Sequence, residues 1–146
     1  DNFSVNSNLT LVKSSAKIRD LDLDTATATD ADADDRPLQG QSPYVLNAGL
    51  FYATDQLTTS ASLLYNVFGR RLHSVGLGDV PDVYEEPRHT VDFAATQRFG
   101  QASIKLSLQN LLDHDELYQQ VVDGQDFVTG RYETGRSISL AISYGS

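Results

Sequence analysis

Apolar and polar side chains alternate with a period of two over most of this chain. Tyr44, Leu46, Ala48, Leu50 and Tyr52 share one side of segment 44–52, and Leu57, Ala61, Leu63, Tyr65 and Val67 share one side of 57–67. Val91, Phe93, Ala95 and Phe99 do so in 91–99, Ala102, Ile104, Leu106 and Leu108 in 102–108, and Ile138, Leu140, Ile142 and Tyr144 in 138–144. The interleaved positions are mostly small or polar, among them Ser60, Ser62, Asp92, Arg98, Lys105, Ser139 and Ser143. Successive side chains of a strand point to opposite faces, so this pattern predicts strands with one apolar face. Phe3, Val5, Leu9 and Leu11, set against Ser4, Asn6, Asn8 and Thr10, add a strand from Phe3 to about Ile18 and bring the number to six.

Alternation alone fits a soluble sandwich as well as the wall of a membrane barrel. The connections separate the two. Thr54-Asp55-Gln56 and Gly100-Gln101 are tight, whereas 19–43, 70–87 and 113–133 are long and polar, and short and long alternate strictly. Outer-membrane barrels have short turns on the periplasmic side and long loops outside, and an even strand number leaves both chain ends on the short-turn side. Long structureless loops are uncommon in compact soluble domains, and three on one edge of a sandwich would be odd. As an alternative, a few short strands within 113–133 would raise the count, since Gln119 to Val122 and Phe127 to Thr129 have some strand character. The predicted fold class is therefore all-β: an antiparallel meander of about six long strands forming part of a transmembrane β-barrel.

Six strands do not close such a wall comfortably. A barrel of about eight is already filled by its own side chains, and open edges cannot leave backbone groups unpaired in lipid. The expected partners are outer-membrane lipid and either the remaining strands of a larger barrel or other copies of the chain.

Composition narrows the function classes. Of 146 residues, 40% are hydrophobic, and no uninterrupted apolar run reaches the roughly 18–20 residues of a spanning helix. A mean hydropathy of -0.32 is compatible with a barrel, where only alternate residues meet lipid. A net charge of -9 without a Lys/Arg cluster argues against nucleic acid. With no Cys, neither disulfides nor thiolate metal sites arise. His73, His89 and His114 are isolated in sequence, no Gly-x-Ser-x-Gly elbow occurs, and Gly76-Leu77-Gly78 lacks the context of a phosphate loop. No catalytic constellation emerges, so the chain is not expected to be an enzyme, and no cofactor or metal site is assigned. The Asp-rich stretch from Asp20 to Asp35 has oxygen ligands of the kind calcium takes, but it lacks the glycine turn and closing Glu of a calcium loop. It reads as a solvated surface loop.

The stretch Asp35 to Asn47, DRPLQGQSPYVLN, resembles the closing part of TonB-dependent outer-membrane receptors. Leu63 to Arg71, LLYNVFGRR, is similar to one of their barrel strands, and Val83 to His89, VYEEPRH, to the lead into the next. Leu108 to Asp113 resembles the family's NLLD element, and Gly135 to Tyr144 its terminal strand, so the likeness covers nearly the whole chain. The resemblance implies a barrel of roughly 22 strands plugged by an N-terminal domain and importing siderophore, cobalamin or oligosaccharide ligands with energy delivered through TonB. Residues 1–146 would be the C-terminal segment of that barrel domain, in the bacterial outer membrane, with plug and TonB box absent. The runners-up are a small self-associating outer-membrane barrel or pore and a soluble β-sandwich binding module.

On the barrel reading, Leu46, Leu50, Leu63, Tyr65, Phe93, Ile104, Leu106, Ile138, Leu140 and Ile142 face lipid, and Asp92, Arg98 and Lys105 face the lumen in a cross-strand network. Tyr44, Tyr52, Tyr65, Phe93, Phe99 and Tyr144 supply an aromatic girdle. Arg36, Arg70, Arg71, Tyr84 and Arg88 are the candidates at the extracellular rim for holding a ligand carboxylate or phosphate. Against that stands a simpler role for the arginines, pairing across strands in a charged belt.

Overall fold

The computed structural model describes residues 2–17, 20–22, 27–29, 35–56, 58–76 and 80–145. Every regular element among them is a strand: β1 (Phe3–Leu11), β2 (Ala16–Lys17), β3 (Asp20–Asp22), β4 (Thr27–Thr29), β5 (Asp35–Arg36), β6 (Tyr44–Ala53), β7 (Thr59–Phe68), β8 (Arg71–Ser74), β9 (Val83–Glu85), β10 (His89–Phe99), β11 (Ala102–Gln109), β12 (Glu116–Val122), β13 (Gln125–Tyr132) and β14 (Ser137–Tyr144). Among the described residues, no helix is long and apolar enough to cross a membrane.

Six of these strands form one antiparallel sheet in the order β1-β6-β7-β10-β11-β14, so each long strand pairs with the next long strand along the chain. They are the six that the alternation predicts. The sheet is open, with β1 and β14 at its edges. The tight connections, including Gly100 at a φ of 62° in the two-residue turn between β10 and β11, lie at the end of the sheet that also holds the start of β1 and the end of β14. A non-glycine residue is strained at that φ, which is why the turn takes glycine.

The register turns the alternation into two faces. Val5 lies opposite Leu50, Leu50 opposite Leu63, and Leu63 opposite Phe93. Phe93 then lies opposite Leu108, and Leu108 opposite Ile138. Directly opposed residues share a face, so one apolar row crosses all six strands, and the rows beside it repeat the pattern. The other face carries Asn8, Asn47, Asn66 and Thr90 in a comparable row.

The first strand is shorter than the expected run to Ile18. The amide of Val12 still donates to the carbonyl of Pro43, but proline has no N–H to return, and the ladder stops there. Ile18 itself, like Leu57, lies outside the described residues.

The long connections are not structureless, which removes the argument from loop disorder though not the one from loop asymmetry. The first contains the pairs β2–β5 and β3–β4. The second and third combine into a separate four-stranded sheet in the order β13-β12-β9-β8. The strand character expected in 113–133 appears as β12 and β13, whereas β8 and β9 are additions that the alternation does not reveal. All these elements stand at the long-loop end of the six-stranded sheet.

Among the described residues, only Val67 and Leu72 are buried apolar side chains. Contacts between strands run along hydrogen-bonded neighbours, with no strand stacked broadly on another sheet. A domain of about 150 residues ordinarily buries some 68–70% of its unfolded surface around a core. Here the apolar face takes the place of a core, and nothing among the described residues lies over it.

Candidate functional site

All ten lipid-facing candidates lie on the apolar face. Leu46, Leu50, Leu63, Tyr65 and Phe93 occupy its first half, and Ile104, Leu106, Ile138, Leu140 and Ile142 its second. Val5 is 77% exposed, Leu140 65% and Ile142 72%. At the short-turn margin Phe3, Tyr52, Phe99 and Tyr144 form an aromatic border, with the Phe3 and Tyr52 rings 4.8 Å apart. Two expected girdle members, Tyr65 and Phe93, stand further in. The Tyr65 hydroxyl is 2.7 Å from Nδ1 of His89 on the neighbouring strand.

Asp92, Arg98 and Lys105 share the opposite face, as expected, but no ion pair joins them among the described residues. Asp92 instead accepts the backbone N–H of Asn110 at 2.9 Å, and Arg98 and Lys105 lie nearer the short-turn end. The polar character of this face comes more from amides and hydroxyls than from charge. Asn66 donates to Asn47 Oδ1 at 2.6 Å, and Ser103 and Ser143 are 2.7 Å apart across the outermost pair. A depression of about 440 Å³ lies on this face between Asn6, Asn47, Phe51 and Asp92. Gly49 gives the Phe51 ring its place, because a Cβ there would sit 2.7 Å from Cε2 of that ring.

The rim arginines are gathered at the loop end, and each is held by a carboxylate. Arg36 pairs with Asp82 at 2.9 Å, Arg70 with Glu86 at 2.8 Å, and Arg88 with Glu116. Arg71 lies directly opposite Glu85 and donates to it through Nε at 2.7 Å and Nη2 at 3.0 Å. That bidentate bond holds the Arg71 guanidinium above its ordinary pKa, against a smaller opposing effect of burial. Arg70 also stacks over the Tyr84 ring at 4.5 Å. The structure thus brings the five rim candidates to one end, four of them as members of internal ion pairs. The cross-strand belt describes them better than an anion clamp does.

A pocket that sequence reasoning missed opens on the four-stranded sheet. Arg71, Glu85, Tyr118 and Gly130 form one cross-strand row on its face. Two β-bulges interrupt this sheet. The pairing passes from Leu72–Tyr84 to Ser74–Val83, leaving His73 as the extra residue, and from Tyr118–Gly130 to Gln119–Val128, leaving Thr129. A bulge re-aims the side chain of its extra residue. Both His73 and Thr129 line the same pocket, of about 350 Å³, together with Glu116, Tyr118, Gly130 and Tyr132. The His73 and Tyr118 rings lie 4.5 Å apart at 63°, and Tyr118 and Tyr132 lie 5.7 Å apart at 89°, so rings stand as near-perpendicular walls. Burial, and then the charges of Glu85 and Glu116, push the Tyr118 phenol above its usual pKa. His73 is isolated in sequence because its ring partner Tyr118 lies 45 positions away, and the bulge that turns it is invisible to a period-two reading.

The edge of β8 is capped from the first loop. Gly40 donates to the Leu72 carbonyl at 2.7 Å, and the Gln39 amide donates to that of His73 at 2.6 Å. His89 and His114, also isolated in sequence, meet at the start of β10. The His89 amide donates to Nδ1 of His114 at 2.8 Å, and the ring centroids are 5.6 Å apart. No group of three metal-ligating side chains occurs among the described residues. Most of the Asp20 to Asp35 stretch, and its side chains, lie outside them.

No family model, curated protein or solved structure matches the chain.

Proposed function

We propose that this chain is a segment of the wall of an outer-membrane β-barrel of the TonB-dependent receptor type, taking part in ligand uptake. The observation that carries the reading is the uncovered apolar face, which crosses all six strands, with almost no core among the described residues. Lipid would supply the missing apolar surroundings, and the aromatic border at Phe3, Tyr52, Phe99 and Tyr144 suits a membrane interface.

Three further features support it. Long connections and tight turns segregate to opposite ends of the sheet, as they do in outer-membrane barrels. The edge strands β1 and β14 carry neither charge nor proline nor bulge, the devices that blunt a solvent-exposed edge. Such edges suit pairing with further strands, from the same barrel or from other copies of the chain. The polar face, lined by Asn, Ser and Thr with scattered charge, suits a lumen. On this reading the four-stranded sheet and the rim ion pairs stand outside the membrane as the ligand-facing end, and chemistry on a bound substrate is not part of the role.

Light scattering of the purified chain in plain buffer and in detergent micelles tests this. A species stable only in micelles is expected, and its subunit number reports whether other copies complete the wall. A monodisperse species in plain buffer overturns the reading and favours a soluble β-module.

A further inference from the structure

We propose that the pocket between β8, β9, β12 and β13 binds a small organic cation, an alkylated ammonium group, held among the rings of His73, Tyr118 and Tyr132 and beside the Glu116 carboxylate. This inference rests on the reading of the four-stranded sheet as a ligand-facing end and gives that end a chemical class of ligand.

Shape comes first. Three aromatic rings, of His73, Tyr118 and Tyr132, line the pocket, packed edge to face on one another, and aromatic rings attract quaternary ammonium groups through their negative faces. The space persists because Gly130 contributes no side chain. A Cβ there would make only ordinary contacts, 3.5 Å from Tyr118 Cδ2 and 3.8 Å from Tyr132 Cε2, so the backbone imposes no glycine and the vacancy is specific to the pocket. A volume of about 350 Å³ falls within the ordinary range for small-ligand sites of roughly 300–1,000 Å³.

Charge comes second. Segments 70–89 and 113–136 hold ten carboxylates against five arginines, a local excess of negative charge. All five arginines are ion-paired within the chain, Arg131 with Asp115 and Arg136 with Asp113 completing the set. An anionic ligand meets no unpaired arginine of these segments, whereas the excess of carboxylates gives a field that favours a cation. Three of the paired carboxylates lie in or next to the wall, Glu116 with Arg88, Glu85 with Arg71 and Asp115 with Arg131, so the cation is drawn by the rings and the net field and not by an unpaired carboxylate there.

The test uses the full chain in micelles of an octyl tetraethylene glycol detergent, whose headgroup is neither cationic nor a sugar. Choline is the probe, followed by line broadening of its methyl protons and by calorimetry. Saturable binding is expected, with tetramethylammonium competing at concentrations at least tenfold below those of glucose or citrate. Tyr118→Phe should keep affinity within about twofold, while Tyr118→Leu and Gly130→Leu should each lower it tenfold or more with the β-sheet circular dichroism unchanged. The proposal is overturned by a folded chain without saturable choline binding, by glucose or citrate binding as well as choline, or by Tyr118→Leu binding as tightly as the parent. If Gly130→Leu perturbs the fold, the Phe and Leu variants of Tyr118 still decide. A chain monodisperse without detergent would remove the membrane reading but leave this binding measurement to succeed or fail by itself.

Discussion

Leu106 on β11 lies directly opposite Leu140 on β14, and Leu140 is 65% exposed with no second layer over the pair. Fully covering a leucine is worth on the order of 1.5–3 kcal/mol, and this pair is one of a dozen or so such positions in a continuous field. Apolar surroundings over such a face are strongly favoured over water.

Substituting Leu106 with Lys should therefore cost roughly 2–4 kcal/mol in a bilayer, since the position lies mid-strand and near the expected midplane. Ser107→Lys, one residue along and on the opposite face, should cost far less. Chemical unfolding of the three proteins in lipid vesicles measures both. If Leu106→Lys is neutral while Lys105→Leu is damaging, the two faces are assigned the wrong way round.

Asn110 should be the most sensitive polar position among those described. It is buried at a φ of 51°, its N–H donates to Asp92, its side-chain amide donates to Thr134 Oγ1 at 3.2 Å and to the Gly135 carbonyl at 2.9 Å, and its Oδ1 accepts the N–H of His114 at 3.1 Å. One side chain thus ties the end of β11 to the approach to β14 and to the loop before β12. Asn110→Ala should cost about 2–3 kcal/mol by thermal or denaturant melting, because it strands several partners and strains the left-handed backbone. Asn110→Gly should recover only part of the loss, since it relieves the strain without restoring the bonds. Equal melting of Asn110→Ala and the parent would contradict this role.

The Tyr118 phenol should ionise above the usual range for a phenol. Its pKa is raised above 10.0 by burial and by Glu85 and Glu116, so the folded state holds the proton more tightly than the unfolded one. The associated stability is complete below the unfolded pKa and is lost as pH rises through the higher folded value. Absorbance titration of the parent and Tyr118→Phe, in a chain with seven tyrosines and no tryptophan, should show a component above the usual phenol range that only the parent has. Its retention in Tyr118→Phe would refute the assignment.

The sheet was legible because a period-two pattern survives wherever one face is apolar. Phe3 to Leu11 and Ser137 to Tyr144 could be placed from alternation alone, although Pro43, just before the neighbouring strand, decides where β1 stops. The loop-end sheet was only half legible. Val121, Val122, Phe127 and Val128 advertise strand, but β8 and β9 are three or four residues long, too short for a period to register. The pocket was illegible for a stronger reason. His73 and Thr129 reach it through bulges, and a single added residue reverses the face that alternation assigns. The arginines were legible as a group by composition, but their neutralisation depends on register: Arg71 meets Glu85 only because β8 and β9 pair as they do.

The most direct test of the central claim is a spin-label accessibility scan along β11. The chain has no cysteine, so single cysteines can be introduced one at a time from Ala102 to Gln109. In lipid vesicles, labels at 102, 104, 106 and 108 should collide with oxygen dissolved in the bilayer and be shielded from a water-soluble nickel chelate, with 103, 105 and 107 showing the reverse. Uniform access of the chelate to all eight positions would contradict a lipid-facing wall.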